Sequence, residues 1–261
     1  MKRKKLGFAL GSGGSRGVAH IGFLQAMEEA EIRPDFITGS SMGAVVGGCY
    51  AAGVPLAKMK EVALKIRPFD ILDPTLKAGG LFETRKIRKL LTKYIGNTTF
   101  DELKIPFRCV AVDLYSQELC VLSEGSVREA VIASSCIPGV FKPLELDGRR
   151  YVDGGILERV PVTQLKEMGA TEIVAVDVLG RLQCRAKRTS AFIVLSQMLD
   201  LMDNQRTEAR RKAHEKDIDF WIEPKLGFVS QYSFKHLQFA YDAGYAAGVE
   251  YAEKISKLIR E

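Results

Sequence analysis

Histidine is scarce in this chain: three residues in 261, His20, His214 and His236. None has neighbours that mark it as a catalytic base. His20 lies within a helical pattern, His214 within the charged run Arg210-Arg211-Lys212-Ala213-His214-Glu215-Lys216, and His236 near the start of the last helical pattern. Cysteine is sparse too. The five cysteines (Cys49, Cys109, Cys120, Cys136, Cys184) are odd in number and form no C-x-x-C pair, which excludes a disulfide framework and points to a reduced, cytoplasmic chain. There is no H-x-E, paired-cysteine or calcium-loop pattern, so no metal or cofactor is expected. No long uninterrupted apolar run exists either. The uncharged stretch 36–57 carries five glycines and does not read as a membrane span. The basic start, Met1 to Lys5, leads into an apolar run too short for a signal peptide, and it reads as a solubilised first strand.

What is present is a large core supply: 46% apolar and 27% charged residues over 261 positions, enough for one compact α/β unit over residues 1–261. A net charge of +6 is read as solubilising rather than as a nucleic-acid interface. Short apolar runs alternate with helical spacing. Strands are expected at Leu6 to Leu10, Phe36 to Thr38, Phe107 to Asp113, Glu118 to Leu122, Arg150 to Val152, Ile173 to Val178 and Ile218 to Ile222. Helices are expected at Val18 to Ala30, Ala44 to Ala52, Arg85 to Tyr94, Val127 to Ser134, Val162 to Met168, Ala191 to Ala213 and Lys235 to Ile259. This predicts an α/β fold with a mostly parallel sheet covered by helices, reactive groups lying beyond the carboxyl ends of the strands. Pro68 to Gly80 and Leu179 to Ser190, the latter with Arg181, Arg185, Lys187 and Arg188, read as loops or lids over the surface.

Two glycine motifs sit at such strand ends. Gly11-Ser12-Gly13-Gly14-Ser15-Arg16-Gly17 follows the first strand, and Gly39-Ser40-Ser41-Met42-Gly43 follows the second. A serine on a tight strand-to-helix turn is exposed for attack, and the flanking glycines remove side chains that would collide there. Ser41 is then a candidate nucleophile. Bare N–H groups at Gly13, Gly14 and Met42 could receive the oxyanion, and the positive end of the helix dipole lies beside the serine. A hydroxyl needs a base. The candidates are the three histidines and Asp153, which ends a short strand and is followed by Gly154-Gly155, itself ordinary turn chemistry.

The order of the motifs resembles the patatin-like phospholipase family: a glycine loop, then G-x-S-x-G, then Asp-Gly-Gly over a hundred residues later. The likeness includes Gly79-Gly80-Leu81-Phe82, the run Ser135 to Pro143 leading into Tyr151 to Gly155, and Pro161-Val162, and so covers roughly residues 5–180, with a C-terminal helical part at about 190–261. The resemblance implies a patatin-like three-layer α/β/α fold. It also implies a Ser-Asp dyad of Ser41 and Asp153 with no histidine, an oxyanion hole at Gly13 and Gly14, and a lipid or acyl-ester substrate. Arg16 occupies the family's basic position and would orient the loop, meet an acidic headgroup or form a structural ion pair. Glu158-Arg159 stands where family members often have Asn-Pro or a similar pair.

Other readings have their own marks. A dinucleotide-binding domain would want an acidic residue at the end of the second strand, where Gly39-Ser40-Ser41 stands and Asp35 comes too early. An α/β-hydrolase triad would use His214 or His236 with Asp153 or Asp177, but reaches its serine only after several strands. A regulatory or membrane-associated relative would keep the fold with little hydrolase activity. Phe36, Leu81, Phe82, Val140 and Phe141 suit an acyl chain or an ordinary core. The segment Leu81 to Tyr94 reads as a basic amphipathic helix, resting on the anionic inner face of a membrane or simply solvated.

Overall fold

The computed structural model describes residues 3–75, 80–180 and 191–260. Gly79, Cys184 and the four cations of the segment 181–188 lie outside the described residues. The chain opens with β1 (Leu6–Leu10), a 3₁₀ turn (Gly14–Gly17) and α1 (Val18–Glu29), then β2 (Phe36–Ser40) and α2 (Met42–Ala51). Next come α3 (Leu56–Lys65), α4 (Pro68–Ile71), β3 (Asp73–Pro74), β4 (Phe82–Glu83) and α5 (Arg85–Ile95). The middle comprises β5 (Phe107–Asp113), β6 (Glu118–Leu122), α6 (Val127–Ser134), β7 (Leu144–Leu146), β8 (Arg149–Asp153) and α7 (Thr163–Glu167). The chain then runs through β9 (Glu172–Val176), α8 (Ala191–Ala213), β10 (Phe220–Ile222) and α9 (Leu237–Arg260).

β10, β9, β1, β2 and β5 pair in that order, all parallel. β5 then changes the character of the sheet. It holds β6 antiparallel over Cys109–Asp113, which fills one of its edges. On the other edge it pairs with β2 up to Val110, and from Ala111 onward with antiparallel β8. Each strand edge accepts only one partner per residue, so β2 and β8 abut end to end along β5. β7 borders β8 in turn. The arrangement is α/β/α with a mostly parallel sheet, as expected.

Alternation along β1 explains the layers. Leu6, Phe8 and Leu10 face the main core with α1, α2 and α9, where Phe8 meets the ring of Phe23 edge-on at 5.3 Å. Ala9 faces the opposite side, where Val160, Val162, Leu165 and Ile173 form a smaller core under α7. Burying each large apolar side chain stabilises the fold by about 1.5–3 kcal/mol.

Three regions differ from the sequence reading. Leu56–Lys65 is a helix that the pattern did not signal, and Pro68 to Gly80 is partly ordered into α4 and β3 rather than being a plain loop. Phe36 packs into the smaller core, on the face away from Ser41, so it does not belong to the acyl-binding supply.

Candidate active site

The junction of β2 and β8 builds the site. Ser40 stands opposite Val110 and Asp153 opposite Ala111, adjacent residues of β5. Because β8 runs against β2, both carboxyl ends arrive at this point. Ser41 turns out of β2 with φ +53 and ψ −121, a left-handed conformation that strains a residue bearing a Cβ and is characteristic of a nucleophile on a sharp strand-to-helix turn. Its surroundings leave little room. A Cβ on Gly43 would stand 2.0 Å from the carbonyl oxygen of Leu10, and one on Gly154 would stand 2.1 Å from that of Val110. Glycine at both places lets the two chain turns close on the sheet.

Ser41 and Asp153, 112 residues apart in sequence, meet here. The hydroxyl of Ser41 donates to Oδ2 of Asp153 at 2.5 Å, and the N–H of Gly155 donates to Oδ1 at 2.8 Å. Both residues are buried. Burial, which penalises the charged form, raises the Asp153 carboxyl to about 6; the bonds from Ser41 and Gly155 oppose that shift, and the neighbouring charge of Asp203 adds to it. A carboxyl held there is ionised just above pH 6 and basic enough to accept a proton.

The histidines are elsewhere. Nε2 of His20 lies 2.8 Å from the carbonyl oxygen of Gly11, and complete burial lowers that imidazole to about 4, so it is neutral under the glycine loop. His214 contacts Thr163 and Asp217. His236 borders a shallow surface depression near Phe228.

A segment the sequence reading left without a role braces both members of the pair. Ser134 Oγ accepts the N–H of Ser41 at 2.9 Å, and the carbonyl of Cys136 accepts the N–H of Asp153 at 2.9 Å. Ser135 donates to the Ser41 carbonyl at 3.4 Å. The only sequence signal was the family likeness of this run, since side-chain to backbone bonds have no periodicity.

The N–H groups of Gly13, Gly14 and Met42 have no hydrogen-bond acceptor among the described residues, and Gly14 and Met42 border the same cavity as Ser41. Unpaired donors beside a nucleophile are what an oxyanion requires. The glycine loop is tied in place by its ends: Ser12 donates its N–H to the carbonyl of Arg159 and its hydroxyl to Ser40, and Ser15 donates its N–H to the carbonyl of Gln231. Arg16 is buried with its Nε unpaired, close enough to Asp177 and Arg159 to feel both, and its desolvation lowers its guanidinium. It does not border the cavity at Ser41.

That cavity, about 340 Å³, is almost wholly apolar. It runs from Ser41 along Met42, Val45 and Cys49 of α2, between α3 and α5. Ile87, Leu90, Leu91 and Tyr94 supply the apolar face of α5 to its wall. The amphipathic helix anticipated at this place therefore spends its apolar side indoors. Its cations are partly engaged, Arg85 with Asp73, Arg88 with Glu129 and Lys86 with two backbone carbonyls. Phe82, Val140 and Phe141 also line the cavity, whereas Leu81 is exposed. No cluster of His, Cys, Asp or Glu able to hold a metal occurs among the described residues.

Residues 8–166 match the family model for patatin-like phospholipases. The chain belongs to the patatin-like phospholipase family. An uncharacterized NTE family protein of Mycobacterium tuberculosis is 38% identical over 178 residues, 67% of this chain and 49% of that protein. Neuropathy target esterase of Drosophila melanogaster is 27% identical over 98% of this chain and 20% of its own length. A lysophospholipase of Saccharomyces cerevisiae is 31% identical over 66% of this chain and 11% of its own. The chain thus spans about half the length, or less, of the curated relatives it matches. In fold it is similar to VipD of Legionella pneumophila, with a TM-score of 0.63 at 14% identity over 97% of this chain and 67% of that one. The type III effector protein ExoU gives 0.52 at 13% identity, over 97% and 53%.

Proposed function

We propose that this patatin-like chain is a serine lipid acyl hydrolase, of phospholipase A or carboxylesterase type, working through a Ser41–Asp153 dyad. The observation that carries this reading is the 2.5 Å contact from Ser41 Oγ to Asp153 at the head of the apolar cavity. Ionised Asp153 takes the hydroxyl proton as Oγ bonds to the ester carbonyl carbon, and the carbonyl oxygen becomes an oxyanion facing the N–H groups of Gly13, Gly14 and Met42. Collapse of that adduct expels the alcohol, which receives the proton from Asp153. Water, deprotonated by the same carboxylate, then attacks the acyl-serine, and Ser41 regains its proton as the fatty acid leaves. Removing one oxyanion donor costs about 3 kcal/mol of barrier lowering in such sites.

The cavity suits one acyl chain. Cys49 lies eight residues along the helix from Ser41, about 12 Å at 1.5 Å per residue. An extended chain advances about 1.2 Å per bond, the rise implied by three backbone bonds per peptide residue, so about ten bonds fit along this wall alone. Arg16 is assigned to holding the glycine loop, through its buried charge beside Asp177, and not to contacting the substrate. Among the described residues no helix is long and apolar enough to cross a membrane. We read the chain as a single patatin-like unit, cytoplasmic, reaching its substrate from the inner face of the membrane. A screen of p-nitrophenyl esters of graded length and of phospholipids, with wild type, Ser41→Ala and Asp153→Asn, tests the reading. Failure of a fluorophosphonate probe to label Ser41 in folded protein would instead support a regulatory, non-hydrolytic role.

A further inference from the structure

Arg159 is a cation with almost no access to water, its side chain 2% exposed, and every nitrogen of its guanidinium is bonded. Nε donates to Asp203 at 2.8 Å, Nη2 to Oδ1 of Asn204 at 2.6 Å, and Nη1 both to Asp177 at 3.2 Å and to the carbonyl of Gly180 at 2.9 Å. Asp203 and Asn204 belong to α8, and Asp177 is the first residue beyond β9. One side chain thus joins three separate parts of the chain. A buried ion pair contributes less to stability than well-packed apolar groups of similar volume, so stability alone does not account for a charge at this depth. What a planar fork of donors supplies is fixed geometry.

That geometry bears on the glycine loop. The N–H of Ser12 donates to the carbonyl of Arg159 at 2.9 Å, and the N–H of Gly11 donates to the carbonyl of Val176 at 3.0 Å, one residue before Asp177. The guanidinium therefore links the two main-chain acceptors that hold the first two residues of the loop. Gly13 and Gly14, which carry the N–H groups assigned to the oxyanion, come next in the chain. Ser12 also donates its hydroxyl to Ser40, the neighbour of Ser41. Ser12, Val176 and Asp177 are all buried, and close-packed surroundings pass a displacement on rather than absorb it.

We propose that Arg159 is a positioning residue for ester hydrolysis: its guanidinium fixes the Arg159 and Val176 carbonyls relative to each other and, through Ser12 and Gly11, aims the N–H groups of Gly13 and Gly14 at the oxyanion. The inference rests on the acyl-hydrolase reading. Arg159 acts through the loop and not on the substrate, for it does not border the cavity at Ser41. Lysine in its place keeps the charge but is a point donor, so it meets one carboxylate and leaves the rest of the fork unmade. The loss falls on the chemical step, because the apolar cavity that binds the acyl chain is walled by other elements.

The test compares the full-length wild type with Arg159→Lys and Asn204→Leu at about pH 8, where the Asp153 carboxyl is ionised. Asn204 is the α8 partner to change, since the charge of Asp203 also acts on Asp153. Active sites are counted by fluorophosphonate labelling carried to completion, and hydrolysis of a p-nitrophenyl ester is expressed per labelled site. Arg159→Lys is expected to lower kcat about tenfold or more with KM within about twofold. It is also expected to weaken binding of a trifluoromethyl ketone, whose carbonyl carbon takes Ser41 Oγ to form a bound oxyanion, by the same factor as kcat. Asn204→Leu is expected to lower kcat about threefold, and the double variant to fall no further than Arg159→Lys by itself, since lysine no longer reaches residue 204. Arg211→Gln, elsewhere on α8, is expected to leave kcat unchanged. A purely structural Arg159 would lower the fraction of labelled sites while kcat per site and ketone affinity stay as in wild type, and that result overturns the proposal. So does a fall in kcat without a matching loss of ketone affinity, or an equal fall in Arg211→Gln. Where Arg159→Lys fails a thermal-unfolding check, Asn204→Leu decides, and an unchanged kcat per labelled site overturns the proposal. Absence of Ser41-dependent hydrolysis in wild type is a separate result, which removes the hydrolase reading and the positioning role with it.

Discussion

Gly14 lies against the carbonyl of Gln231 so closely that a Cβ on Gly14 would stand 2.4 Å from that oxygen. Gly14 also has φ +51, a conformation that costs a residue with a Cβ about 1–2 kcal/mol. Gly14→Ala is expected to push the glycine loop off the Gln231 strap and to misdirect the N–H groups of Gly13 and Gly14. The expected outcome is a fall in kcat of about a hundredfold with a modest loss of thermal stability. Steady-state hydrolysis of a p-nitrophenyl ester beside a thermal melt checks it. Unchanged kcat in Gly14→Ala removes this loop from the oxyanion hole.

The second prediction concerns the base. Ser41→Ala and Asp153→Asn are each expected to lower ester hydrolysis by about a thousandfold or more, whereas His214→Ala and His236→Ala leave it within about twofold. Loss of hydrolysis in a folded His214→Ala or His236→Ala protein would overturn the dyad.

The pH dependence follows from the raised carboxyl of Asp153. The rate is expected to climb about tenfold per pH unit below about pH 6 and to level above it, as the base ionises. Stability runs the other way. The folded state holds this proton more tightly than the unfolded chain does, so stability falls as pH rises from about 4 to about 6. The shift from 3.8 to about 6 is roughly two units, which is about 3 kcal/mol. Asp153→Asn is expected to be inactive, and more stable than wild type by up to that amount at pH 8 but not at pH 4. Denaturant unfolding at the two pH values decides it.

Cys49 lines the cavity about two turns along α2 from Ser41. Cys49→Phe is expected to spare hydrolysis of short-chain p-nitrophenyl esters and to lower kcat/KM for long-chain esters by about tenfold, since a filled pocket excludes the distal methylenes. An equal loss for short and long chains would place the acyl chain elsewhere.

Much of the site was legible because its glycines and its serine obey strict local rules. Ser41 needed small neighbours on both sides, and Asp153 ended a strand whose residues alternate. The seven-residue β5 and the eight-residue α6 were read to the residue, since their apolar patterns are long and bounded by polar turns. α3 escaped because Lys58, Lys60, Glu61 and Lys65 surround the few residues, Leu56 and Met59, that it buries. The role of Ser134 and Cys136 escaped for another reason: their bonds join the ends of distant strands, and nothing local encodes them. The apolar side of the α5 segment was visible, but not that α2 and α3 would wait opposite it.

The end-to-end meeting of β2 and β8 along β5 also makes the pairing of Ser41 with Asp153 a long-range event in folding. Ser41 belongs to the first βαβα stretch of the chain, whereas Asp153 comes beside it only when residues 149–153 have added to β5. A contact spanning 112 residues forms late, after shorter loops have closed. On the dyad reading proposed above, a chain in which residues 149–153 have not yet joined the sheet carries Ser41 without Asp153, and hydrolysis would wait until the sheet is complete.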